Sequence, residues 1–195
     1  MSKSYKNIII NTAIVVAVLL LIHCFSLYFI YAAKGAKIQY INIDKLVFVA
    51  RILVELLLTA SLLYLGFWIA NKKQNYVLLI RSVILAYWVF VLQYLAECIW
   101  LFFTKEHYSL FEINSFSSFS LLAVVGAENT PLYLHYPLTV VNLWELLFIA
   151  ALGFLLMKRT NLPPKNVFLI VVCSYILPLI AWVCAVSYIN MLNTM

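Results

Sequence analysis

Five long apolar stretches constrain this chain more than any other feature of its sequence. Each is long enough for a helical crossing of a bilayer, which needs about 20 apolar residues. Hydrophobic residues make up 66% of the 195 positions and charged residues 10%, whereas an average soluble domain has about 25% charged residues. The sequence therefore predicts an all-α, polytopic membrane helix bundle, a single transmembrane domain over residues 1–195. Its five transmembrane helices are expected at about 8–33, 46–70, 76–104, 138–157 and 167–191.

The first stretch has two possible roles. Lys3 and Lys6 precede it, as basic residues precede the apolar core of a secretory signal. Its run from Ile8 to Ala33 is longer than the roughly 7–15 residues of such a core. We therefore expect it to be the first crossing.

The basic residues predict an orientation and argue against nucleic-acid binding. The net charge is +6, but Lys and Arg are scattered through short loops and form no face that could follow phosphates. Cytoplasmic loops carry an excess of Lys and Arg, which predicts a cytoplasmic N-terminus and an outside C-terminus. The side assigned to the cytoplasm holds Lys3, Lys6, Lys72, Lys73, Lys158, Arg159 and Lys165, and the other side holds Lys34, Lys37, Lys45 and Lys105.

One connection, residues 105–137 between the third and fourth crossings, is long. Its apolar part, "SFSSFSLLAVV" (115–125), is too short to cross a bilayer. "NTPLYLHYP" (129–137) offers a helix start, with Thr130 as the cap and Pro131 at the first position. The sequence predicts a short interfacial helical segment, one or two short helices that lie at the outer membrane surface or are tucked against the bundle, with a re-entrant hairpin as the alternative.

Several polar side chains lie inside the predicted crossings, where each unpaired charge costs about 2.5–3.5 kcal/mol at the bilayer centre. At a rise of about 1.5 Å per residue, they map to the outer half, and Glu145 lies about 10 Å below the outer surface. Arg51 and Glu55 are four residues apart and can pair on one helix face. The predicted intramembrane polar cluster comprises His23, Arg51, Glu55, Gln93, Glu97, Asn142 and Glu145.

Three roles for this cluster are open. It can tie helices together through hydrogen bonds, which we favour. It can relay protons or ions, although the inner half offers few polar groups to complete a path. It can line an outward pocket for a lipid headgroup or a quinone, with Trp100 and Trp144 nearby.

No catalytic or metal-binding pattern is present. The histidines lack metal-ligand spacing, and the HExxH and GxSxG motifs are absent. The four cysteines lie within predicted helices, with no CxxC and no close pairing, which is typical of packing residues. The sequence predicts a protein that is not an enzyme and uses no metal or cofactor.

Two segments carry a family resemblance: "YPLTVVNLWELLFIAALGFLL" (136–156) and "VFLIVVCSYILPLIAWV" (167–183). The first is a proline-started crossing with Asn142 and Glu145 one turn apart, and the second carries Tyr175 three residues before Pro178. This pattern resembles the Yip1-type membrane domain. The resemblance implies a five-helix bundle with a cytosolic N-terminus, in which these four residues are structural marks of the fold. Pro178 should kink the fifth helix, and Ser174 should help to satisfy the freed carbonyl.

The resemblance also implies a setting. Eukaryotic members of the family are tied to Golgi and endoplasmic-reticulum vesicle traffic and to small-GTPase partners, and they carry a sizeable cytosolic segment where this chain has residues 1–7. The compact form is more similar to the bacterial relatives. We therefore expect a bacterial inner (plasma) membrane protein, with a Golgi or endoplasmic-reticulum membrane as the alternative.

The predicted function is that of a non-catalytic scaffold or accessory subunit of a membrane assembly. Its expected partners are membrane lipids and either another membrane protein or further copies of itself. The alternatives are a small transporter or channel component, and a lipid- or quinone-binding module using the polar cluster.

Overall fold

A computed structural model describes residues 3–34, 41–104 and 119–194. All regular structure in these ranges is helical, and within them the only β-type pairing is an isolated bridge between Ser120 and Asn142. A 3-10 turn covers Ala127–Asn129, and a π-helical turn covers Val172–Ile176. The α-helices are α1 Lys3–Lys34, α2 Ile41–Ile69, α3 Tyr76–Ala86, α4 Trp88–Thr104, α5 Leu121–Val125, α6 Leu132–Val140, α7 Leu143–Thr160, α8 Pro164–Val171 and α9 Leu177–Thr194.

Within the described ranges, four helical segments are long and apolar enough to cross a membrane. They are Asn7–Cys24, Val47–Ile69, Tyr76–Trp100 and Pro164–Leu192. They correspond to the first, second, third and fifth predicted crossings and support a multi-pass membrane protein. The third joins α3 to α4 through Tyr87, and the last joins α8 to α9 through the π turn.

The fourth predicted crossing, residues 138–157, is not a continuous helix. α6 ends at Val140 and α7 begins at Leu143, because Val141 and Asn142 leave the helical conformation. The backbone at this break is hydrogen-bonded to the start of α5. The Leu121 amide donates to the Val141 carbonyl (3.0 Å), and the Leu143 amide donates to the Phe119 carbonyl (3.1 Å). A membrane crossing by residues 138–157, in addition to the four segments above, therefore stays a prediction.

The described part of the predicted interfacial segment is helical but has a different cap. Residues 105–118 lie outside the described ranges, and residues 119–137 contain α5, the 3-10 turn and most of α6. The cap position of α6 is Pro131, and the Thr130 hydroxyl donates instead to the Gly126 carbonyl (2.9 Å). α6 packs along α9, where the Trp182 indole N–H donates to the Tyr136 hydroxyl (2.9 Å). A position at the membrane surface stays a prediction.

The core lies between α1, α2, α3, α7 and α8. On α7 the buried residues are Phe148, Leu152, Leu156 and Thr160, four apart, so they form one ridge that packs against α3. The opposite face of α7 is exposed, as at Phe154. Such one-sided burial suits a helix that contacts neighbours on one face and lipid on the other.

Two tight turns lie at the same end of the bundle. Residues 70–75 join α2 to α3, and residues 161–163 join α7 to α8. The Arg159 guanidinium, near the second turn, donates to the Ser82 hydroxyl near the first (3.3 Å). We call this the short-turn end. His23 of α1 stacks on Phe48 toward the other end (ring centroids 4.0 Å apart), so α1 starts at the short-turn end.

Candidate functional site

Glu55 of α2 is held by two donors. The Arg51 guanidinium Nε–H donates to Oε1 (2.7 Å), as expected for side chains one turn apart. The Tyr87 hydroxyl donates to Oε2 (2.5 Å). Tyr87 is buried at the junction of α3 and α4, and a buried tyrosine hydroxyl needs a polar partner. This bond ties the second predicted crossing to the third.

Glu145 lies in the first turn of α7, just after the helix break. Asn142 is the cap residue: its Oδ1 accepts from the Glu145 amide (2.7 Å), and its Nδ2 donates to the Thr139 carbonyl of α6 (2.9 Å). One amide side chain therefore joins the two helices across the break. A carboxylate in the first turn also interacts favourably with the helix dipole.

The partner of the Glu145 carboxylate is Tyr175, whose hydroxyl donates to Oε1 (2.6 Å). Tyr175 belongs to the π turn between α8 and α9, so the fifth predicted crossing supplies the partner of Glu145. At about 1.5 Å per residue, Tyr175 lies about 16 Å from Pro164 and about 26 Å from Leu192. Glu145 is therefore bound nearer the middle of the Pro164–Leu192 segment than to either of its ends.

Phe148 fills the space between the two tyrosines. Its ring centroid lies 6.2 Å from that of Tyr87 and 5.3 Å from that of Tyr175. The ring is 1% exposed. Glu55 and Glu145 are close enough to interact electrostatically. We call Glu55, Tyr87, Phe148, Glu145 and Tyr175 the tyrosine–carboxylate cluster.

The other predicted cluster residues adjoin this group through Tyr94. The Gln93 side-chain amide donates to Glu97 Oε1 (3.0 Å) along α4. Phe48, on which His23 stacks, meets Tyr94 edge to face with the ring centroids 5.6 Å apart. Tyr94 is within electrostatic range of Arg51, Glu55 and Glu97. The predicted residues thus lie in one neighbourhood.

The π turn lies where the sequence predicts a kink. Pro178 has no N–H to offer the Ser174 carbonyl and its ring crowds that carbonyl, and a π turn is one way for a helix to absorb the lost bond. The Ser174 side chain does not take the predicted role, because its buried hydroxyl has no hydrogen-bond partner among the described residues. It lies against Gly66 of α2, where an added Cβ would be 1.7 Å from Ser174 Oγ.

Sequence reasoning missed Tyr87 and Phe148 and assigned Tyr175 only to the kink. Tyr87 belongs to no motif, and one apolar ring in a membrane helix carries no signal. One signal could have found the two tyrosines. Each buried carboxylate needs a hydrogen-bond donor at its own depth, and a tyrosine near the middle of another apolar helix can supply one. In the part of the chain that the structure describes, no three His, Cys, Asp or Glu side chains could hold a metal ion, and the four cysteines are free thiols.

Tyr175→Phe should destabilise the protein by about 1–3 kcal/mol, because it leaves the Glu145 carboxylate without its hydroxyl donor. The measurement is thermal unfolding in lipid nanodiscs. Tyr188→Phe, at an exposed position of α9, is the matched control. Equal melting temperatures for the two variants would contradict a stabilising role for the Tyr175–Glu145 bond.

In comparisons with known proteins, no family model matches the chain, and neither a curated protein nor a solved structure matches it. The resemblance to the Yip1-type domain stays a prediction. The four residues that carry it do lie together, since Asn142 caps the helix of Glu145, and Glu145 binds Tyr175 close to Pro178.

Proposed function

We propose that this chain is a non-catalytic scaffold or accessory subunit of a membrane assembly. The observation that carries the proposal is the Arg51–Glu55 ion pair on the surface of α2. The two side chains are 69% and 42% exposed, although both lie within the apolar segment Val47–Ile69. An ion pair in this position calls for a polar neighbour in addition to the described residues.

Both members of the ion pair lie well inside the apolar segment. At about 1.5 Å per residue, Arg51 lies about 6 Å and Glu55 about 12 Å from the Val47 end of the segment. Val54 and Leu58 beside them are 61% and 56% exposed, as lipid-facing side chains are. Because charges in a bilayer seek protein or water partners, a second membrane protein is the natural cover for this pair. Polar side chains commonly join membrane helices in this way.

The tyrosine–carboxylate cluster supports a structural role for the remaining acids. Glu55 and Glu145 each accept a short hydrogen bond from a tyrosine on another helix. Phe148 occupies the space between those tyrosines, so these groups bind each other. In a transporter, channel or quinone-binding module, the two carboxylates would instead bind a ligand. The experiment below distinguishes this alternative from the scaffold.

The basic residues support an orientation in the membrane. Lys72 and Lys73 lie in one turn of the short-turn end, and Lys158, Arg159 and Lys165 flank the other. A cytoplasmic short-turn end and N-terminus follow from the excess of Lys and Arg on cytoplasmic loops. We propose a bacterial inner membrane as the setting.

The test is gentle purification in native-like lipid, followed by mass spectrometry of everything that comes with the chain. The variant is the double substitution Arg51→Leu with Glu55→Gln, which removes both charges and so leaves no unpaired one, while an amide oxygen at position 55 can still accept from the Tyr87 hydroxyl. We expect the bound partner to fall at least about tenfold, equivalent to about 1.4 kcal/mol, whether it is a different protein or a second copy of the chain seen in the intact mass of the complex. Lys158→Leu, which removes an exposed charge from α7, should leave the yield unchanged.

Two outcomes would count against the proposal. Retention of the partner by the double variant would show that the α2 ion pair is not the contact. A chain that arrives alone with a bound lipid or quinone, which Glu145→Gln releases, would favour the binding module.

A further inference from the structure

We infer that the polar neighbour of α2 is a second copy of this chain, with the two α2 helices packed side by side around a two-fold axis along the membrane normal. The inference rests on the proposed function, because it names the partner of the same α2 surface. It is argued from the spacing of exposed residues, the charge arrangement and the unused donors of Arg51.

The exposed residues of α2 form a line suited to helix pairing. They recur at alternating spacings of three and four, which is the spacing of a left-handed parallel helix pair. The line lies opposite the buried positions, such as Ile52, Leu56 and Leu63. We call it the α2 seam: Arg51, Val54, Leu58, Ser61, Leu65 and Trp68.

The Arg51 guanidinium has N–H groups that its bond to Glu55 does not use. A guanidinium carries five N–H groups, and Nε–H is the one used for Glu55 Oε1. Among the described residues, no other hydrogen-bond acceptor contacts the remaining four. Each Glu55 oxygen accepts one bond, from Arg51 or from Tyr87, and a carboxylate oxygen can accept a second.

A second copy satisfies these groups by symmetry. Two copies with the same orientation in the membrane run their α2 helices in parallel, and a two-fold axis brings equivalent residues to the same depth. Arg51 and Glu55 are one turn, about 6 Å, apart along the axis, so a long Arg51 side chain can reach Glu55 of the other copy. Two arginines and two glutamates then form a ring of alternating charge with no net charge.

Charge complementarity favours this occupant over a lipid. A phosphate headgroup would satisfy Arg51 but would place a negative charge beside Glu55. A second copy necessarily brings an acid and a base at the right depth. The apolar Val54, Leu58 and Leu65 continue the same line and would pack between the helices.

The test is disulfide cross-linking in native-like lipid, after Cys24, Cys98, Cys173 and Cys184 are replaced by alanine. Leu58→Cys lies on the α2 seam, and Leu169→Cys is an equally exposed control on α8, since Leu58 is 56% and Leu169 59% exposed. We expect a covalent dimer from Leu58→Cys and at least about tenfold less from Leu169→Cys. Val54→Cys, also on the seam, provides a second reporter. Equal cross-linking of the seam and control positions would overturn the inference.

Charge reversal separates a second copy from a different partner. In the Leu58→Cys background, Arg51→Glu alone and Glu55→Arg alone should each reduce the dimer at least about tenfold. The two together should restore it, because both copies then carry the swapped pair and the Tyr87 hydroxyl, which now donates to Glu55, can accept from a guanidinium at that position. A swap that fails to restore dimers, with a different protein lost in the variants, would refute the second copy and leave the subunit proposal standing. A chain that forms no dimer and loses no partner in any variant would overturn both.

Discussion

Phe148→Ala should lower the free energy of unfolding by about 3–5 kcal/mol, the range expected when a buried aromatic ring is removed and its cavity only partly closes. The ring is 1% exposed and contacts Phe90, Tyr87 and Tyr175, with ring centroids 4.9–6.2 Å apart. Its loss also removes the support that holds the two tyrosines against their carboxylates. The measurement is unfolding by denaturing detergent in mixed micelles.

Phe154→Ala is the matched control for this prediction. It removes the same ring from the same helix, but Phe154 is 53% exposed. Its variant should lose about 1 kcal/mol or less, because lipid or detergent replaces the missing contacts and little cavity forms. Similar losses for the two variants would show that Phe148 is not at the centre of the packing.

Gly66→Ala should destabilise the protein by about 1–3 kcal/mol, the usual cost of overpacking a well-filled interior. The new methyl group would lie 1.7 Å from Ser174 Oγ and 3.0 Å from Ser174 Cβ. Either the serine must change rotamer or α2 must move away from the π turn. Thermal unfolding in nanodiscs measures the cost.

Two companion variants make the Gly66 result specific. Gly153→Ala introduces the same methyl group on α7 with no atom within 4 Å, so it should stabilise by about 0.5–1 kcal/mol through helix propensity. Combining Gly66→Ala with Ser174→Ala should recover part of the loss, because it removes the nearest atom and an unpaired hydroxyl. A Gly66→Ala variant as stable as Gly153→Ala would mean that α2 and the π turn do not touch closely.

The sequence was sufficient to predict what depends on composition and on neighbours along one helix. Four apolar segments of spanning length follow from hydropathy, and the Arg51–Glu55 pair follows from a spacing of four. The role of Asn142 as a helix cap was harder to predict, because the apolar pattern of residues 138–157 continues on both sides of it. The helix break depends on pairing with Phe119 and Leu121, which are distant in sequence.

The sequence predicted which polar residues lie inside the membrane segments, but it did not predict which residues they bind. Nothing local links Glu145 to Tyr175 or Glu55 to Tyr87, since each pair is about thirty positions apart. These contacts depend on how the helices pack, which hydropathy does not encode. The exposure of the α2 ion pair, on which the proposed function depends, likewise emerges only when the neighbouring helices are in place.

The tight turn between α7 and α8 has a consequence for how the protein enters its membrane. α7 carries Glu145 in its first turn, next to an apolar run, and is by itself a poorer substrate for insertion than an uncharged helix, because a charge inside the bilayer opposes insertion. The following segment, Pro164–Leu192, has a mean hydropathy of 2.6 and brings the hydroxyl of Tyr175 with it. Since only residues 161–163 separate the two, we expect them to enter the bilayer as one helical hairpin. The acid is then delivered already bound to its donor.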